Sequence, residues 1–309
     1  MNIDLTIAII ITLIGASTPL LLAALGELVV EKSGVLNLGV EGMMLTGAVV
    51  AFAVTYNTGN PWLGIGAAAF AGAAASMIFG VLAITLSSNQ VATGLALTIF
   101  GGGFSALFGQ PYTGKPIALF KSVFPVELST HPIFKVVFGY SPLVYFSLFM
   151  VVVIWWFLKK TRAGLILRAV GESDVSAHSI GYSVVKVRYA AVAFGGAMAG
   201  IAGSCFPLIL TPQWVEGLTS GRGWIALALV VFAAWKPYRL LVGAYLFGLI
   251  ATMELYAKAA GGAFRILPSE VWASLPYLAT IIVLVLISLR RTGNSSAPAC
   301  LGKPFIASN

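Results

Sequence analysis

Apolar stretches close to 20 residues long recur along the whole chain, and no other feature restricts its fold as tightly. A helix of about 20 residues crosses a hydrocarbon layer about 30 Å thick, and inside lipid every backbone N–H and C=O must be satisfied within a helix or a closed barrel. The runs lack the two-residue alternation of barrel strands, so they read as helices. Composition agrees, with 59% of residues hydrophobic and 9% charged, against about 25% charged in soluble domains. The expected fold class is all-α, a polytopic transmembrane helix bundle over residues 1–290 with a cytoplasmic tail over 291–309. Spans are predicted at 5–25, 35–57, 62–86, 90–109, 142–158, 188–210, 223–235, 239–259 and 273–289, about nine in all, within a range of 8–10. The seventh is too short to cross unaided. It is predicted to be tilted or half-length and broken at Trp235, Lys236 and Pro237, because proline cannot continue a helix's hydrogen bonding.

Lysines and arginines set the orientation. Lys159, Lys160, Arg162, Arg168, Lys186 and Arg188 crowd one connector, Lys236 and Arg239 another, and Arg290, Arg291 and Lys303 the C-terminal end. Alternating spans put all three on one side, which is cytoplasmic by the excess of basic residues. The connector 110–141 and the short segments 214–222 and 261–270 then face outside. Strict alternation puts the N-terminus outside as well, unless residues 26–34 re-enter. The first 25 residues have no basic leader and carry Asp4, so they are expected to be retained as a span. The net charge of +8 lies in connectors and forms no aromatic-interleaved patch, which argues against nucleic acid as a partner. Small residues dominate "GIGAAAFAGAAAS" from Gly64 and "GGAMAGIAGS" from Gly195, where Gly196 and Gly200 have GxxxG spacing. General bundle packing explains them more simply than a dedicated dimer face. The stretch "GNSSAPA" reads as a disordered tail.

Enzyme chemistry finds no foothold. "GQPYTGK", from Gly109 to Lys115, follows the spacing of a nucleotide-binding P-loop until the position that needs a magnesium-binding Ser or Thr, where Pro116 stands. The two histidines, His131 and His178, fall on opposite sides of the membrane, and no HExxH or GxSxG motif occurs. Cys205 and Cys300 have neither metal-ligand nor redox spacing. The chain is therefore expected to carry no catalytic residue, no metal site and no cofactor of its own.

Transport remains, and intramembrane ionisable residues are where it usually resides. "GELVVEKSGVLNLGVEGMMLTGA", Gly26 to Ala48, places Asn37 and Glu41 four residues apart in a predicted span. On a helix they share a face and can bond to each other or to one partner. They are either a polar clamp between helices or part of the translocation pathway. Glu254 and Lys258 have the same spacing near the outer end of a later span and suit a self-neutralising pair. Between two spans, "KKTRAGLILRAVGESDVSAHSIGYSVVKVR" offers Gly171, Glu172 and Asp174 at the expected start of a short helix and Gly181 at its expected end. It is an amphipathic connector or, because it is long for one, a docking surface for a soluble partner.

These residues carry a resemblance. The 26–48 segment, "AVGESDVSAHSIGYSVVKVRYAAVAFGGAMAGIAG" and "GRGWIALALVVFAAWKP" resemble the permease subunits of ABC importers in the branched-chain amino acid and simple sugar superfamily, most closely the nucleoside (basic membrane protein type) branch. The resemblance spans nearly the whole chain and implies a type II importer-like permease in the bacterial inner membrane. The implied partners are a second permease subunit in a homo- or heterodimer, cytoplasmic ATP-binding subunits that use the ATP, and an extracytoplasmic binding protein or lipoprotein. Gly171, Glu172, Ala177 and Gly181 match the loop that meets the ATPase, and Asn37 and Glu41 match polar positions of the signature. Val175 and Ser176 stand near the loop's usual double alanine. The implied cargo is a nucleoside or related nucleobase compound, then a simple sugar, then a branched-chain amino acid. The competing class is a stand-alone secondary transporter, against which the long cytoplasmic loop argues.

Overall fold

The computed structural model describes residues 3–120, 124, 132–260 and 297–306, with scattered helical positions from 271 to 285. Among the described residues, six helices are long and apolar enough to cross a membrane: Ile7–Lys32, Val40–Thr58, Pro61–Thr85, Gln90–Tyr112, Pro142–Lys160 and Val184–Leu210. Two shorter apolar helices, Arg222–Phe232 and Pro237–Met253, accompany them. The last expected span, 273–289, falls largely outside the described residues. In chain order the helices are α1 (Ile3–Lys32), α2 (Val40–Thr58), α3 (Pro61–Gly80), α4 (Gln90–Gly109), α5 (Pro132–Phe138), α6 (Pro142–Lys160), α7 (Arg162–Glu172), α8 (Asp174–Ser179), α9 (Val184–Cys205), α10 (Arg222–Phe232) and α11 (Pro237–Ala260).

Local sequence sets several boundaries. Asn60 and Asn89 each accept a hydrogen bond from an amide of the first turn they precede, Trp62 N and Ala92 N, both at 3.0 Å. Gly59 closes α2 in a left-handed conformation, φ 70°. The predicted start of the second span at 35 is corrected to Val40. Gly34, with φ 89°, breaks the chain after α1, and residues 33–39 form a non-helical linker. The first helix, in turn, runs on past 25 through Glu27 and Glu31 to Lys32.

The small residues of α9 place it at the centre. A Cβ at Gly200 would strike the Ala68 carbonyl of α3, one at Gly203 the Met44 carbonyl of α2, and one at Gly195 the Val30 side chain of α1. Gly196 packs against Gly72 and Ser76 of α3. The Gly196–Gly200 pair therefore works inside one chain, as general bundle packing predicts. Where lipid is as apolar as the side chains, close backbone approach supplies the attraction.

One end of the bundle gathers the C-terminus of α1, the start of α4, the end of α6, the helices α7 and α8, the start of α9, the α10–α11 turn and residues 297–306. Lys32, Lys159, Lys160, Arg162, Lys186, Arg188, Lys236 and Lys303 all belong to these segments, so this is the basic end. The opposite end carries the "GQPYTGK" string. Its Thr113 bridges to Trp214, and residues 116–120 just after it run along 208–213, with Ile117 N donating to Pro212 O at 3.0 Å. A Cβ at Gly109 would collide with the buried Trp214 indole. This string is a cover over Trp214, and among the described residues no strand leads into it and no helix opens directly after it.

Candidate functional site

Glu41 is the second residue of α2 and only 6% exposed. Its Oε1 accepts hydrogen bonds from Thr219 Oγ1 at 2.5 Å and Gly221 N at 2.8 Å. Its Oε2 accepts from Gly223 N at 2.6 Å. All three donors belong to the start of α10 or the turn before it. The first amides of a helix have no acceptor within the helix, and Gly221 at the cap position, φ 77°, offers no side chain. Glu41 supplies the acceptor from another helix, with its carboxylate at the positive end of the α10 dipole. A Cβ at Gly223 would sit 2.6 Å from Glu41 Cα, so glycine is required for this approach.

The level of this contact follows from α10. Its 11 residues span about 16 Å at 1.5 Å per residue, roughly half of a hydrocarbon layer. From Glu41 the helix descends to the basic end and finishes in a turn at Ala234 (φ 49°) and Trp235 (φ 54°). The expectation of a half-length helix broken near Trp235 agrees with this course. Trp235 Nε1 donates to Glu31 Oε2 at 2.6 Å, and Lys32 Nζ lies 5.9 Å from the Trp235 ring centre. Thus the two ends of α10 are held by two carboxylates of the 26–48 segment.

Asn37 does not join Glu41, contrary to the helical spacing argument. It lies in the linker, where its Oδ1 accepts from Gly39 N at 2.9 Å and its Nδ2 points to Met43 Sδ at 3.8 Å. Its own backbone N–H donates to Glu27 Oε1 at 3.2 Å. The i, i+4 geometry fails because the helix starts only after both glycines, 34 and 39. Asn37 shapes the turn into α2. Glu254 and Lys258 lie outside the described side chains.

The basic-end segment is also arranged differently from expectation. Gly171 and Glu172 close α7 instead of opening a helix, and Asp174 alone begins α8 after the cap residue Ser173. Gly171 meets the Lys32 carbonyl so closely that any side chain would collide. Asp174 is turned inward to Arg188, Oδ2 to Nη2 3.1 Å, and Ala177 is buried. Gly181 follows the helix at φ 92°, as a left-handed stop should. The outward face consists of Glu172, Ser176 and Ser179 with two exposed apolar side chains, Val175 at 62% and Ile180 at 71%.

Sequence reasoning missed Thr219, Gly221 and Gly223. A signal existed: an apolar helix preceded by "TSGRG" has no capping side chain at its cap position, so an acceptor must come from elsewhere. It also missed that Val175 and Ile180 would stand exposed as an apolar pair on the outward face. A cavity of about 680 Å³ opens at the far end beside Tyr56, Trp62 and Phe120, away from Glu41. Among the described residues, no three His, Cys, Asp or Glu side chains gather as metal ligands would.

A helical bundle with a buried carboxylate at mid-depth, a half-length helix starting on it and a short helix with an exposed face at one end fits a multi-pass membrane permease. Residues 9–287 match the model of the family described as branched-chain amino acid transport system / permease component, and the chain belongs to that family. It is a permease component of the ABC type and not itself an enzyme. It is 42% identical to the putative glucose ABC transporter permease protein TsgC13 of Haloferax volcanii, over 87% of this chain and 88% of that one. It is 31% identical to the guanosine ABC transporter permease protein NupQ of Bacillus subtilis, over 98% and 97%. It is 29% identical to the nucleoside ABC transporter permease protein NupC of Lactococcus lactis, over the full length of both.

Proposed function

We propose that this chain is the membrane permease of an ATP-driven importer for nucleosides, lying in a bacterial inner membrane with its basic end in the cytoplasm and about nine spans in all. The single observation that carries the translocation role is the Glu41 contact, where helices from two distant parts of the sequence meet at mid-depth around one carboxylate. Such a junction can rearrange without exposing apolar surface, because only hydrogen bonds at a helix terminus must change partners. The face formed by Glu172, Val175, Ser176, Ser179 and Ile180 is the docking surface for a cytoplasmic ATP-binding subunit. Gly171, Asp174 and Ala177 hold it in place from behind, and Gly181 ends it. A second permease subunit and an extracytoplasmic binding protein or lipoprotein complete the system, and ATP is spent by the partner alone.

Two full-length relatives named for guanosine and nucleoside transport favour nucleosides. A simple sugar is the second reading, favoured by the 42% identity to a permease named for glucose. The two are separated by reconstituting the complex in proteoliposomes and measuring uptake of labelled guanosine and labelled glucose, each with and without ATP. ATP-dependent guanosine uptake that unlabelled glucose does not compete supports the proposal. Uptake driven by a proton gradient without the ATP-binding subunit would overturn it.

A further inference from the structure

Residues 297–306 do not trail away from the bundle. Cys300 N donates to Gly171 O at 3.0 Å, and Gly302 N donates to Gly34 O at 3.1 Å. Lys303 O accepts from Arg188 Nη1 at 3.2 Å and from Gln90 Nε2 at 3.5 Å. The Phe305 ring lies 5.4 Å from the ring of His178 on α8 and packs against the cluster of Val170, Ala177 and Val184. The tail thus bridges the end of α7, the face of α8, the α1–α2 linker and the start of α4. Of the "GNSSAPA" stretch, 297–299 belong to this docked segment and the remainder lies outside the described residues.

Arg188 is the hub beneath it. At 2% exposure it is a buried cation, and its guanidinium spends three donors on three separate segments. Nε reaches Ser33 O in the linker at 3.4 Å, Nη1 reaches Lys303 O in the tail, and Nη2 reaches Asp174 of α8. The planar five-donor fork of arginine suits such a junction, whereas a lysine presents one point charge. The linker is irregular backbone and depends on such partners, since buried main-chain groups need acceptors and donors. It is also tied at Leu36 N to Gln90 Oε1, 2.8 Å, and at Asn37 N to Glu27. Two residues beyond its end stands Glu41.

We infer that Arg188 and tail residues 300–305 are positioning elements of energy coupling, clamping the docking helix to the α1–α2 linker so that a displacement of one moves the other and, through it, the Glu41 junction. The six-residue α8 cannot hold its own shape, because short isolated helices are unstable in water. Without the tail it loses the Phe305 side of its packing and tilts independently of the linker. This inference rests on the docking role proposed above.

The test uses the assembled transporter in proteoliposomes with Gly302→Val and, separately, Phe305→Ala. The Gly302 Cβ position is open, with nothing nearer than 3.9 Å, so valine acts only through the backbone at φ 75°. Both variants are expected to insert, to keep the ATP-binding subunit in full ratio and to hydrolyse ATP. Substrate taken up per ATP should fall roughly five-fold or more, the scale of an ordinary coupling free energy, with the substrate concentration for half-maximal uptake unchanged. Arg188→Lys should lose less than Arg188→Met. An unchanged uptake-to-ATP ratio in both tail variants would overturn the inference. So would loss of the ATP-binding subunit itself, because the tail would then be part of the docking surface instead of a transmitter. Wild-type uptake that proceeds without the ATP-binding subunit would defeat the docking role itself, an outcome distinct from either.

Discussion

Replacing Glu41 tests whether one carboxylate holds the α2–α10 junction. In the native arrangement Oε1 serves two donors and Oε2 one. In Glu41→Gln the amide oxygen keeps Thr219 and Gly221, while the amide nitrogen, itself a donor, faces Gly223 N. One buried N–H is left without an acceptor, at about 1 to 3 kcal/mol, and loss of the charge at the helix end costs about 0.3 to 1 kcal/mol more. In Glu41→Leu both amides and the Thr219 hydroxyl lose their acceptor. The two amides alone amount to roughly 2 to 6 kcal/mol if no water replaces the carboxylate. Thermal unfolding of the purified complex should therefore rank wild type above Gln and Gln above Leu, and ATP-driven uptake should follow the same order. Thr219→Val combined with Glu41→Gln should be non-additive, since the two side chains share a bond. Equal damage from Gln and Leu with intact assembly would refute the hydrogen-bonding account and point to the charge as the working feature. A leucine variant as stable as wild type would remove Glu41 from the junction altogether.

Gly181→Val forces a branched residue into φ 92°; distorting the end of α8 should reduce ATPase co-purification without reducing the amount of permease in the membrane. Val175→Asp with Ile180→Asp should have the same effect more strongly, measured by co-purification, because both side chains lie on the exposed face. Gly200→Val must push α9 away from the Ala68 carbonyl, so it should lower the yield of folded protein, read by size-exclusion profile. The purified chain alone should hydrolyse no ATP in a phosphate-release assay, since Pro116 stands where a P-loop needs a hydroxyl.

Much of this molecule was decided by its sequence taken alone. Apolar runs of span length allow only helices in lipid, and basic residues at Lys159, Lys160, Lys186 and Lys236 mark one end whatever the packing. Gly181 as a stop and the shortness of α10 are local facts, set by backbone sterics and residue count, and they were legible. The partners of Glu41 were not. A four-residue spacing suggested Asn37 as its neighbour, but Gly34 and Gly39 delay the helix, and the acceptor-poor start of α10, some 180 residues away in sequence, takes the carboxylate instead. In the same way Asp174 read as a helix-start charge, which it is, but only tertiary packing turned it onto Arg188, and the tail found its place only against surfaces made by Gly34, Gly171 and His178. Local patterns state which groups need a partner. Which group meets that need depends on chain segments brought together by folding, and only the tertiary structure decides it.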